Sequence, residues 1–130
     1  MTKQQDFSMW SVNFILFCLA NFLYYGAFYL YIPVLPQYVE MLGGTPADIG
    51  LVGGAFGLSS FIIRPYLGKL ANEWGRKRMM LLGAISFALL FLLFGRVTGV
   101  VPLVVLRLAH GVCLAMYLAA SAAYIADYAP

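Results

Sequence analysis

The sequence predicts an all-α membrane protein with four transmembrane helices. Three observations carry this. The chain of 130 residues is 63% hydrophobic and only 10% charged, whereas a soluble domain carries about 25% charged residues. Its mean hydropathy is +0.87, which leaves too little polar surface to face water on all sides. The apolar residues also gather into four long runs, and a helical span needs about 20 of them. Lipid offers the backbone no hydrogen-bond partners, so each run must be a helix.

The first helix is expected over about 12–39 and is rich in aromatics: Phe17, Tyr24, Tyr25, Phe28 and Tyr29. Phe17, Asn21, Tyr25 and Phe28 share one face at helical spacing. Such a stripe reads as packing, while Asn21 at membrane depth reads as the lining of a cavity. The second helix is expected over about 49–71, with Asp48 as its N-cap after Pro46. Gly50, Gly53, Gly54 and Gly57 give it a small-residue stripe, which allows close approach between membrane helices. Pro65 is expected to bend it.

The third helix, about 79–94, has no polar residue except Ser86 and looks uniformly lipid-facing. The fourth, about 101–128, carries Gly111, Ala115, Ala119 and Ala123 at successive fours. Between the second and third helices lies the segment 72–78, "NEWGRKR", with Arg76, Lys77 and Arg78 in a row. Lys3 and Lys69 fall on the same side, while the connection between the first and second helices has no Lys or Arg and the third connection has only Arg96. By the excess of cations, the amino terminus and the 72–78 loop are expected to be cytoplasmic.

Charge within a span is costly, so it is informative. Arg64 lies about two turns from the cytoplasmic end of the second helix, where a long side chain can snorkel to the interface. Arg107 lies about two turns into the fourth helix, and His110 shares its face. Two readings are open: a snorkelling Arg beside a satisfied core His, or a buried cation at a water-filled cavity beside a titrating group.

Other classes find no support. The net charge of +3 sits between apolar runs rather than on a polar face, which argues for lipid headgroups and against nucleic acid. Cys18 and Cys113 both fall in apolar runs, as small buried hydrophobes do. There is no metal-ligand spacing, no phosphate-binding Gly loop and no nucleophile–base set, so neither a metal, a cofactor nor an enzyme is expected. No Asp or Glu lies inside a span, so the chain supplies no carboxylate for a proton relay.

The stretch "GKLANEWGRKR" resembles the signature between the second and third helices of major facilitator superfamily transporters. Gly68, Leu70, Gly75, Arg76, Lys77 and Arg78 match it, and Asn72 stands where the family has Asp. "RLAHGVC" resembles the fourth-helix motif: Arg107 and Gly111 match, and His110 stands where Gln is common. "YGAFYLYIPVLPQ" is similar to the first-helix motif of the twelve-helix drug/proton antiporters: Pro33, Val34 and Pro36 match, with Gly26 one residue too far upstream.

The resemblance implies twelve helices in two six-helix halves, each half a pair of inverted three-helix repeats. This chain would be the first part of one half. Helices one and four would line the cavity, helix two would meet the other half, and helix three would face lipid. It further implies that Arg107 acts on the coupling ion, that the 68–78 motif controls gating, and that Arg76 pairs with Asp127. The expected function is a fragment of a secondary active transporter of the plasma (inner) membrane. It would move a small molecule, in the efflux direction, with the remaining helices of the same transporter as its partners. Two rivals stand beside this reading. A self-contained four-helix dimeric exporter fits the length, but its first helix should hold a membrane-embedded Glu. A non-transporting anchor or regulatory tetraspan needs neither the Arg107–His110 face nor the loop motif.

Overall fold

A computed structural model describes residues 10–128; Lys3 and Asp6, and with them part of the orientation argument, lie outside the described residues. The described chain forms α1 (Val12–Tyr31), α2 (Leu35–Met41), α3 (Pro46–Trp74), α4 (Arg76–Leu93) and α5 (Val100–Tyr128), with single 3-10 turns at Ile32–Val34 and Phe94–Arg96. These make four helical spans long and apolar enough to cross a membrane: Val12–Met41, Pro46–Trp74, Arg76–Arg96 and Val100–Asp127.

Three details differ from the sequence expectation. The first span is not one continuous helix. Pro33 and Pro36 each lack an N–H, so two i→i−4 bonds are lost and the chain tightens into the 3-10 turn between α1 and α2. The N-cap of α3 is Thr45, not Asp48. Asp48 is its reciprocal partner at N3: the Thr45 N–H donates to Asp48 Oδ2 at 2.7 Å, and the Asp48 N–H donates to Thr45 Oγ1 at 3.4 Å. The 72–78 loop shrinks to Gly75 alone, because Asn72 to Trp74 finish α3 and Arg76 to Arg78 begin α4. Gly75 makes that reversal in one residue at φ 90°, a conformation that side chains with a Cβ rarely adopt.

The fourth span is the centre of the bundle. It is the most deeply buried of the four spans. It reaches three clusters along its length. At the Val100 end Leu103 and Leu106 pack with Leu35, Val39, Val52 and Phe94. In the middle Cys113 packs with Phe28 and Phe87. At the basic end Ala115 and Ala120 pack with Leu67, Ala71 and Met79.

The closest crossings depend on two glycines. A Cβ on Gly111 would fall against Ser59 Oγ and the Phe56 carbonyl of α3. A Cβ on Gly83 would lie 3.0 Å from the Tyr117 nitrogen and 3.1 Å from the Cys113 oxygen. The glycine stripe of α3 meets no neighbour among the described residues: a Cβ on Gly50, Gly53, Gly54 or Gly57 would find nothing within 4 Å. The third span is lipid-like on most faces, yet it buries Met79, Gly83 and Phe87 against α5.

Candidate functional site

Two clusters of polar side chains stand out in this apolar bundle. The first surrounds Arg107. It is only 4% exposed, so it does not snorkel within this bundle. Its Nε donates to the Val52 carbonyl at 3.4 Å. Its guanidinium carbon lies 4.2 Å from the Phe56 ring centre and 5.6 Å from that of Tyr31. The cation thus rests on aromatic faces, an interaction of about 2 kcal/mol when desolvated. The described carboxylates, Glu40, Asp48, Glu73 and Asp127, all stand at span ends. His110, though one turn away, looks at a different helix: its Nε2 lies 3.2 Å from the Phe87 carbonyl of α4. Gly111 beside it provides the close crossing to α3. The shared helix face therefore splits between two neighbours.

The second cluster lies at the basic end. Arg76 forms an ion pair with Asp127, and its Nη1 also donates to the Ala123 carbonyl at 2.7 Å. One guanidinium therefore joins the first turn of α4 to the last turns of α5. The Ala123 carbonyl lies near the carboxyl end of α5, so the cation there meets the negative end of the helix dipole. Lys77 and Arg78 point elsewhere and are exposed; Lys77 lines a groove with Asn13, Phe17 and Tyr124. Leu70 packs in the basic-end cluster, while Gly68 and Asn72 are exposed.

The first span attaches through side chains of one face. Phe17 stacks on Tyr124 at 4.6 Å, and Tyr24 on Tyr117 at 3.9 Å. Tyr25 is half-buried and edge-on to Tyr117 at 6.3 Å. Asn21 donates to the Phe17 carbonyl at 2.9 Å and accepts from Ser121 Oγ at 3.0 Å. Pro33 and Val34 are exposed and Pro36 half-buried. Just beyond them, the Tyr38 hydroxyl donates to the Phe94 carbonyl. Cys18 and Cys113 are both free, one exposed and one buried. Tyr31, Phe56, Tyr38 and Ser121 were not singled out by the sequence. Ser121 alone left a signal, as one of the few polar residues within an apolar span.

A chain of four apolar spans, with a buried arginine at its central helix and an ion pair tying two spans at one end, is a multi-pass membrane protein. Residues 17–130 match the family model of the Major Facilitator Superfamily, and the chain belongs to that family. It is 35% identical over 98 residues to Multidrug resistance protein 2 of Bacillus subtilis (strain 168), an alignment covering 75% of this chain and 24% of the relative. It is 37% identical over 101 residues to Quinolone resistance protein NorA of Staphylococcus aureus, covering 78% of this chain and 26% of that relative. The chain thus spans about a quarter of the length of the curated relatives it matches. No solved structure matches it.

Proposed function

We propose that the chain is part of a secondary active transporter that exports small amphipathic, drug-like molecules by alternating access. The observation that carries the mechanism is the Arg76 contact with Asp127 and Ala123. The two side chains are 28% and 50% exposed, and a partly exposed pair contributes about 0–1 kcal/mol. A contact that weak suits a latch between two nearly balanced states, because a small change in it moves their ratio several-fold. The drug-like substrate and the outward direction are inferred from two relatives named for resistance to multiple drugs and to quinolones. By the cation rule the Arg76 end faces the cytoplasm, and so does the amino terminus two spans earlier; export of drugs would place the protein in the plasma membrane. Arg107 would then act from the buried centre of the half on the coupling ion, and the exposed apolar faces would meet lipid and the transporter's remaining helices.

The test is drug accumulation in cells lacking their own multidrug exporters. Cells expressing the complete transporter should accumulate less of a quinolone and of a lipophilic cationic dye. A protonophore should abolish the difference. Equal accumulation with and without the transporter, for both compounds, would remove the export reading. Export by the purified 130-residue chain alone in liposomes would instead support a self-contained dimeric exporter.

A further inference from the structure

His110 is 1% exposed and is among the largest fully buried side chains. Its ring stands against Phe87 at 4.6 Å and lies nearly parallel to Phe94 at 5.0 Å and 17°. Nε2 is 3.2 Å from the Phe87 carbonyl. A carbonyl can only accept, so Nε2 must carry the hydrogen. In a neutral ring this leaves Nδ1 as a bare acceptor, and Nδ1 is buried with no hydrogen-bond partner among the described residues.

The surroundings favour the neutral ring. Arg107 stands one turn back on α5 and Cys113 one turn on. From the third span the rings of Phe87, Phe91 and Phe94 face it. Tyr31 of the first span reaches the edge of Phe94 and of Phe91, each at 5.0 Å. No described carboxylate is placed to balance an imidazolium, which would stand beside a second buried cation. The attraction of phenyl faces for a cation is smaller than the cost of burying that charge unpaired.

We propose that His110 is a positioning residue: a neutral imidazole in the Nε2–H form that clamps the third span to the fourth through the Phe87 carbonyl and relays no proton. The clamp extends further. Phe94, stacked on the imidazole, offers its own carbonyl to the Tyr38 hydroxyl. One residue thus helps to hold α2, the end of the third span and α5 together, one turn from Arg107. This goes beyond the transport reading, and its test needs no transport.

The chain has one histidine, so nitrogen-15 labelling of histidine reports on this ring alone. In lipid vesicles the spectrum should show a protonated Nε2 and a bare Nδ1, unchanged between about pH 5.5 and 8, the range where a free imidazole titrates. A protonated Nδ1 with a bare Nε2, or titration within that range, would overturn the proposal. The second measurement compares variants. In His110→Gln the amide nitrogen sits where Nε2 was and can still reach the carbonyl. In His110→Asn it sits at the Nδ1 position and cannot. The Gln variant should keep the thermal midpoint of the native chain in detergent, and the Asn variant should lose part of it. Gln and Asn variants of equal stability, whether high or low, would also overturn the clamp.

Discussion

Gly111→Ala tests the crossing on which the bundle is built. The new methyl would meet Ser59 Oγ and the Phe56 carbonyl oxygen, and would lie 3.2 Å from the Phe56 carbonyl carbon. Ser59 can rotate away, giving up its 3.1 Å bond to Phe56. The Phe56 carbonyl cannot, because it belongs to the backbone of α3. That helix must therefore back away from α5, taking the Phe56 ring from under Arg107. Overpacking of this kind costs about 1–3 kcal/mol, while Ala in place of Gly gains about 1 kcal/mol of helix propensity. The net loss is the difference of two opposing contributions, so the informative quantity is a comparison. Gly57→Ala, on α3 with nothing within 4 Å, gains the same propensity and meets no neighbour. Subtracting one variant from the other cancels propensity and leaves the packing term of about 1–3 kcal/mol. Gly83→Ala should fall between them, since its contacts begin at 3.0 Å. Reversible unfolding of the chain in mixed micelles, followed by circular dichroism, reads all three. Equal stability of the Gly111 and Gly57 variants would show that α3 and α5 do not cross at this point.

Other expected outcomes concern the polar residues. Arg107→Leu should leave insertion and stability of the chain intact or improved, while export by the complete transporter is lost; Arg107→Lys should not restore it, because an ammonium cannot spread over Phe56 and Tyr31 as the guanidinium does. Normal export by the Leu variant would remove Arg107 from the mechanism. In the complete transporter, Arg76→Ala should lower the labelling of a cysteine placed in the cavity and reached from the Val100 end, and Asn72→Asp should raise it by bringing charge to a helix terminus; no change in either leaves the basic end as a topology signal only. Asn21→Leu and Ser121→Ala should be coupled by about 0.6 kcal/mol in a double-mutant cycle of unfolding, and a coupling of zero would mean that their 3.0 Å bond is not made.

The four spans were legible because lipid constrains a sequence strongly: long apolar runs, cations at one end and no acid inside. Helix ends were less legible. Placing the N-cap at Asp48 rather than Thr45 came from weighing single residues, when the cap is a reciprocal pair three positions apart. The three cations were assigned to a loop because charge is usually solvated. In fact one glycine with positive φ suffices for the reversal, so Arg76 to Arg78 start a helix. The glycines show a deeper limit. A periodic stripe says that a helix has a small face, but not which neighbour fills it. The α3 stripe lies open, whereas the solitary Gly83, in the bulkiest helix and unremarked in the sequence, meets α5 backbone to backbone. Composition sees how many small residues a helix has; the crossing point decides which of them matters.

The site shows the same division between a residue's kind and its partner. Arg107 was marked by its cost, since charge at depth needs a reason. Nothing in the sequence paired it with Phe56 and Tyr31, which lie 51 and 76 positions earlier in the chain. The aromatic stripe of the first helix stood between two readings, packing or cavity lining. Each of its members now has a partner: Phe17 on Tyr124, Asn21 on Ser121, Tyr25 against Tyr117 and Phe28 on Phe56. The α3–α5 and α4–α5 crossings bring backbones together at glycine, where no side chain can adjust. The α1 part of the first span instead meets α5 through side chains, by stacked rings, the Phe28–Cys113 contact and one hydrogen bond, while its α2 part packs Leu35 and Val39 with Leu103 and Leu106. Stacked rings slide at lower cost than a glycine crossing opens, because offset geometries of similar energy lie close together. If any span of this unit shifts while the others hold, the packing makes it the first.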